Sequence, residues 1–168
     1  MKVTETSRLA LRWVEETDAE FIMKLLNEPG WLQYIGDKGI RTMDDAKDYI
    51  VCGPQTMYER EGFGLFLAER KDDRVPIGLC GLIKRDGLED VDIGFAFLSD
   101  YQFQGYAFEA ASATVDFAKD MGIKRLVAIT TKDNESSSKL LEKLDMKLEG
   151  YVTLPNDTEE LKKYSLNF

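Results

Sequence analysis

A change of rhythm near residue 100 limits most strongly what this chain can fold into. Before it, apolar residues alternate or run continuously through three segments: Phe63, Leu65 and Leu67, then Ile77 to Ile83, then Val91 to Leu98. Lys71-Asp72-Asp73 and Asp86-Gly87 punctuate them as turns. Consecutive strands joined by short turns predict an antiparallel meander. After residue 100 the pattern alternates between helix and strand. Tyr106 to Met121 reads as a helix with Ala107, Ala110, Ala111, Thr114, Ala118 and Met121 inward, stopped by Gly122. Leu126 to Thr130 is the next strand, Glu135 to Leu144 a helix, Leu148 to Leu154 a strand, and Leu161 to Phe168 closes the sheet. The expectation is an α+β fold over residues 1–168 as one domain, a mixed sheet with helices on its faces.

The N-terminal third carries weaker signals. Leu9, Leu11 and Trp13 alternate as a first strand, and Thr17-Asp18-Ala19-Glu20 has the form of a capping box. Phe21, Ile22, Leu25 and Leu26 follow at helical spacing, and Pro29-Gly30 is expected to end that element. A second helix starts at Thr42 with Ala46, Tyr49 and Ile50 on one face. The rings of Trp31 and Tyr34 lie between them and are assigned to packing rather than to a substrate pocket.

The chain contains no histidine, which removes Ser-His-Asp and Cys-His catalysis at once. A general base must be a carboxylate, tyrosine, lysine or a water held by them. Cys52 and Cys80 have no metal-ligand spacing, so no metal is expected. A net charge of −9 argues against nucleic acid as a partner. No apolar run reaches the length of a membrane span, and the first residues hold no secretory h-region, so a cytoplasmic protein is expected. If the acidity serves a site rather than solubility, Asp37, Asp44, Asp45, Glu59 and Glu61 are candidates to draw in a cationic amine.

The chemistry concentrates between Asp92 and Ala107. A strand, Asp92 to Leu98, runs through Ser99-Asp100-Tyr101 into Gln102-Phe103-Gln104-Gly105-Tyr106-Ala107, where a helix begins. A helix start offers unpaired amides and about half a positive charge, which suits a pyrophosphate. Gly105 would let phosphates approach the backbone, or would simply make a tight turn; the spacing leaves both open.

Here the chain resembles the GNAT acetyltransferases. Gln102-x-x-Gly105-x-Ala107 is similar to their Q/R-x-x-G-x-G/A signature, and Ile93 to Leu98 to the strand before it. Asn134 to Leu144 resembles the N-x-x-S-x-x-x-L-E-K-L helix. Ser7-Arg8-Leu9-Ala10-Leu11-Arg12 resembles the opening of the branch that includes ribosomal-protein N-terminal acetyltransferases. The resemblance implies a GNAT fold, a mostly antiparallel sheet whose fourth and fifth strands splay apart. It implies acetyl-CoA as cosubstrate, with pantetheine along Phe95, Ala96, Phe97 and Leu98 and pyrophosphate on the amides of Gln104, Gly105, Tyr106, Ala107 and Phe108. Gln102 belongs to the same signature. Asn134 would touch the pantetheine arm or cap its own helix, and Lys139 would reach the phosphates.

The resemblance further implies direct attack by a neutral amine on the thioester, the acceptor being a small molecule or a peptide N-terminus. Asp92 is the nominated base. Gln104 departs from the lysine or arginine of many relatives. Leu141 stands where many carry a tyrosine acid, so Ser137 is the matching hydroxyl. The rival reading is a CoA-binding sensor without catalysis. Neither G-x-G-x-x-G nor G-x-x-x-x-G-K-[ST] is present, so dinucleotide and P-loop enzymes fit poorly.

Overall fold

The computed structural model describes residues 1–168. Eight strands form one sheet in the order β1-β2-β3-β4-β5-β6-β8-β7. The strands are β1 (Lys2–Glu5), β2 (Leu9–Arg12), β3 (Leu65–Arg70), β4 (Pro76–Ile83), β5 (Val91–Phe97), β6 (Arg125–Thr130), β7 (Lys147–Val152) and β8 (Leu161–Asn167). All neighbours are antiparallel except β5 and β6. That parallel contact lasts for two register pairs, Val91↔Leu126 and Asp92↔Val127. Beyond it β5 stays with β4 and β6 stays with β8, so the sheet splits into a V. These are the splayed strands expected from the resemblance. They rank fifth and sixth because β1, unmarked by any apolar alternation, precedes the first strand read from the sequence.

Side-chain alternation assigns the two faces. Phe66, Cys80, Leu82, Ile93 and Phe97 face α5 (Tyr106–Asp120), whose Ala110, Ala111 and Ala118 allow close approach. Leu67, Leu79 and Leu98 face a second cluster built from α1 (Ala19–Leu26), α2 (Pro29–Tyr34) and α3 (Met43–Ile50). The continuous apolar run of β4 follows from burial on both faces. Thr42 caps α3, its hydroxyl accepting from Asp45 N at 3.0 Å.

Several local expectations are corrected. The entry into α1 is not capped by Thr17 and Glu20; Asp18 accepts from Glu15 N at 2.8 Å, while Arg12 grips both of its oxygens at 2.9 Å. Pro29 does not terminate a helix but opens α2, where its missing N–H costs nothing. A π-helical stretch, Val51–Gln55, joins α3 to α4 (Thr56–Glu61); the sequence pattern marks neither this stretch nor α4. Pro54 cannot donate to a regular helical ladder, which accounts for the wider turn there. Met121 lies beyond the last turn of α5 and is 42% exposed rather than inward. The β7 strand ends at Val152, short of Leu154.

Candidate active site

The V between β5 and β6 opens into a cleft of about 1030 Å³. Its floor is β5, and its walls come from α1 and α2 on one side and the starts of α5 and α6 (Glu135–Lys143) on the other. Leu98 N donates to the Ile77 carbonyl at 2.9 Å, continuing the β4–β5 register. Alternation along an antiparallel ladder therefore turns the N–H and C=O of Ile93, Phe95 and Phe97 away from β4, towards the V. The Phe97 carbonyl accepts from Gln102 Nε2 at 3.0 Å. The remaining groups of Phe95 and Phe97 form a free strand edge within the cleft.

The same cleft reaches the start of α5. Gly105 occupies the N-cap position with φ +84° and no side chain caps the helix. The first intrahelical bond is Glu109 N to Gly105 O, which leaves the amides of Gly105, Tyr106, Ala107 and Phe108 without helical partners. Gly105 is demanded by its own backbone, held at φ +84°. A Cβ there would lie 3.2 Å from Arg8 Nη2. Arg8 packs against this helix start, donating to the Gln104 carbonyl at 3.1 Å and to Glu109 at 2.8 Å, with its guanidinium 4.2 Å from the Tyr106 ring centre.

Phe95, Ala96, Phe97, Gln102, Gly105, Ala107, Phe108, Asn134 and Lys139 line the cleft. Three residues nominated with them do not present their side chains to it. Leu98 is 3% exposed and belongs to the core under α1, because strand alternation puts its side chain on that face and turns its N–H to Ile77 of β4. The Tyr106 ring is buried beneath Arg8. The Gln104 amide donates to the Asp100 carbonyl at 3.1 Å. Asn134 caps α6, accepting from Ser137 N at 3.2 Å, and its side-chain NH2 remains uncommitted. Ser137 lines the cleft beside Leu141, which is 1% exposed.

Asp92 sits at the point of the V, where β5 leaves β6. It is 1% exposed, with Oδ2 accepting from Arg85 Nε at 2.7 Å and Oδ1 without any partner. Burial pushes its carboxyl above the ordinary aspartate value, against the opposing pull of Arg85. It is a buried cleft residue, not an exposed one beside a turn. Neither cysteine competes as an acyl carrier. Cys80 is buried on the α5 face with its thiol pushed up to about 12 by burial, and Cys52 lies outside the cleft.

The acidic cluster expected around the cleft is not there. None of Asp37, Asp44, Asp45, Glu59 and Glu61 lines it. Asp37 pairs with Arg41 at 2.6 Å, and Asp45 caps α3. The cleft instead contains residues that local sequence pattern did not single out: Arg85, Lys143 and Phe103, joined by Trp31 and Tyr34 from the segment assigned to packing. Lys143 Nζ stands 4.3 Å from the Phe108 ring centre. Phe103 is 92% exposed at the lip, held at φ +62°. Trp31 is well buried, as packing requires, yet its Nε1 lacks a partner.

Comparison with known proteins agrees with this geometry. The chain is 29% identical over 162 residues to an uncharacterized N-acetyltransferase, YnaD, of Bacillus subtilis, covering 95% of this chain and 92% of that one. A GNAT-family acetyltransferase from Bacillus anthracis superposes with a TM-score of 0.80 at 25% identity, covering 99% and 98% of the two chains. RimL, a ribosomal-protein α-N-acetyltransferase solved with coenzyme A, has the same fold, with a TM-score of 0.84, 17% identity and coverage of 100% and 98%. The family model of the acetyltransferase (GNAT) domain matches residues 8–147, a span that takes in β2 to β6 and every residue of the cleft, and the chain belongs to that family.

Proposed function

We propose that the cleft transfers an acetyl group from acetyl-CoA to a primary amine by direct attack. The observation that carries this reading is the continuity of two binding surfaces, the free edge of β5 and the uncapped start of α5, within one cleft. A pantetheine arm presents amides that pair with a strand edge, and a pyrophosphate matches free N–H groups at a helix start. Bound acetyl-CoA supplies the activated acetyl thioester. The chain's own groups do the rest. The amides of Phe95 and Phe97, which point away from β4, polarise the thioester carbonyl in this reading. Asp92 accepts the amine proton, directly or through water, as the C–N bond forms and the C–S bond breaks. Ser137 gives the leaving thiolate a proton, which solvent restores; its position on the cleft wall supports that role. Lys143, with Lys139 one helical turn earlier, supplies positive charge that Gln104 does not.

The direct test is acetyl-CoA binding and thiol release. Gly105 makes a poor probe, because any side chain at φ +84° strains the loop with or without ligand. Ala107→Asp is cleaner. A carboxylate in the first turn of a helix suits the macrodipole and leaves the fold intact, yet repels pyrophosphate. We expect the variant to melt at or above the parent's temperature while losing at least about tenfold in acetyl-CoA affinity, one tenfold step being about 1.4 kcal/mol. Unchanged affinity would remove the coenzyme from this helix start. Tight binding with no thiol release for any amine would favour a sensor over an enzyme.

A further inference from the structure

The two ends of the cleft differ in charge logic. On the α5–α6 side, two lysines, Lys139 and Lys143, line the cleft together with Asp133 and Glu135, and Lys143 lies over the Phe108 ring. On the α1–α2 side a single basic residue lines the cleft, Arg85, and it is bound to Asp92. Only its Nε–H is used, in the 2.7 Å bond to Asp92 Oδ2. The opposite edge of the guanidinium, Nη1 with Nη2, has no partner in the chain, and the side chain is 36% exposed. That edge is a planar fork matched to a carboxylate. Beside it, Asp92 Oδ1 is buried and unpartnered, a state that costs about 1–3 kcal/mol or more until a donor arrives. An acceptor and a donor fork thus stand side by side, both unfilled, in one cleft.

The register of the sheet sets what adjoins them. Asp92, Gly94 and Ala96 point to the same face of β5 as Leu79 of β4, the face roofed by Leu25 and Trp31. Gly94 contributes no side chain, and Ile83 Cδ1 and Leu65 Cδ2 lie 3.3 and 3.6 Å from where its Cβ would stand, so the surface beside Asp92 is apolar. An amine next to a carboxylate, with an apolar group on the same carbon, fits these three features together.

We propose that the amine acceptor is a free apolar α-amino acid. Its amino group bonds to Asp92, its carboxylate to Nη1 and Nη2 of Arg85, and its side chain lies against Leu65 and Ile83, both half-buried at the cleft. This rests on the acetyltransferase reading above. The product is the N-acetyl amino acid: the zwitterion first loses one ammonium proton to solvent, the neutral amine gives a second to Asp92 as its N–C bond forms and the C–S bond breaks, and the thiolate takes a proton from Ser137 and leaves as the thiol. The neutral Arg85–Asp92 pair complements a zwitterion and not a simple cation.

Thiol release would be measured with acetyl-CoA and four matched acceptors: L-leucine, L-leucinamide, isoamylamine and a tripeptide beginning with leucine. L-Methionine and L-phenylalanine would sample the side-chain pocket. We expect kcat/KM for L-leucine to exceed that for leucinamide and isoamylamine by about 10- to 100-fold, the value of a charge-assisted carboxylate contact. Arg85→Gln is expected to erase that preference: through Asp92 it lowers kcat/KM for every acceptor, and for L-leucine by at least about tenfold more than for isoamylamine, chiefly in KM. Thermal shift gives a second readout: L-leucine with coenzyme A should raise the melting temperature of the parent but not of Arg85→Gln. Equal turnover of leucinamide or the tripeptide would overturn the proposal and leave the acetyltransferase standing. Equal losses for all acceptors in Arg85→Gln would also overturn it, making Arg85 a positioning residue for Asp92. No thiol release with any amine would sink both readings.

Discussion

Phe103 offers the sharpest test of how stability and binding are set against each other in this loop. Its backbone sits at φ +62°, a region that costs a residue with a Cβ about 1–2 kcal/mol. Its ring is 92% exposed, so removing it sacrifices only a few tenths of a kcal/mol of burial, about a tenth of the ~1.5–3 of a fully buried Phe. Replacement by glycine relieves the strain but frees the unfolded chain at a cost of about 0.5–1 kcal/mol. The balance for Phe103→Gly is a gain of about 0.5 kcal/mol, or about 1–2 °C in a chain of this size. Phe103→Ala removes the ring and keeps the strain, so it should melt at or slightly below the parent. Denaturant melts of the ligand-free protein would measure both. Acetyl-CoA affinity should move the other way, weakening by about fivefold in each variant, as expected for about 1 kcal/mol of contact between an aromatic ring and the bound nucleotide. A glycine variant no more stable than the alanine variant would refute the strain argument. Unaltered affinity in both would remove the ring from the coenzyme site.

Further outcomes follow from titratable and polar groups. Burial raises the Glu109 carboxyl, but hydrogen bonds from Thr6 and Arg8 outweigh it and hold it below the ordinary value of 4.5. A depressed value contributes stability above that pH and loses it as pH falls through the folded value, so Glu109→Gln should cost about 1–3 kcal/mol at pH 7 and progressively less below pH ~4 by urea titration. For Asp92 the sign is opposite. Its raised value stabilises the fold below the ordinary 3.8 and is lost as pH rises through the folded value. Asp92→Asn should therefore melt higher than the parent at pH 8 while thiol release falls by about 100-fold or more. In the parent, kcat/KM should rise with pH through a value above 3.8. Ser137→Ala should lower kcat several-fold and leave the acetyl-CoA Kd nearly unchanged, since a proton donor to the leaving group acts in the transition state.

What the sequence revealed tracks how local each determinant is. The helix start at Gly105 was legible because a glycine, a strand before it and an alanine-rich helix after it are neighbours in the chain. The β3–β4–β5 meander was legible from alternation and two polar turns. Arg85 was not, because its meaning lies in a partner seven residues away across a hairpin. The 83↔92 register that brings them together becomes visible only once the strands are aligned. Lys143 was hidden among the charges of a helix with four charged residues in its nine positions, and only the packing of α6 beside α5 shows which lysine faces Phe108. The acidic residues misled for the same reason: overall composition says nothing about direction, and Asp37 and Asp45 are spent on Arg41 and on the cap of α3.

The brevity of the β5–β6 contact has a mechanical consequence. Without ligand, the strands β1 to β5 and the strands β6 to β8 form two leaves that share a ladder spine of only two register pairs. An extended molecule seated between them bonds to the free edge of the first leaf and rests on the helix of the second. A coenzyme bound there would be a structural brace as well as a reactant. Amides of β6 and α6 should exchange hydrogen faster than those of β4 in the empty protein, and slow the most when the cleft fills. Release of the spent coenzyme would loosen the same joint, so the end of each turnover is also the moment at which the two leaves are least firmly held together.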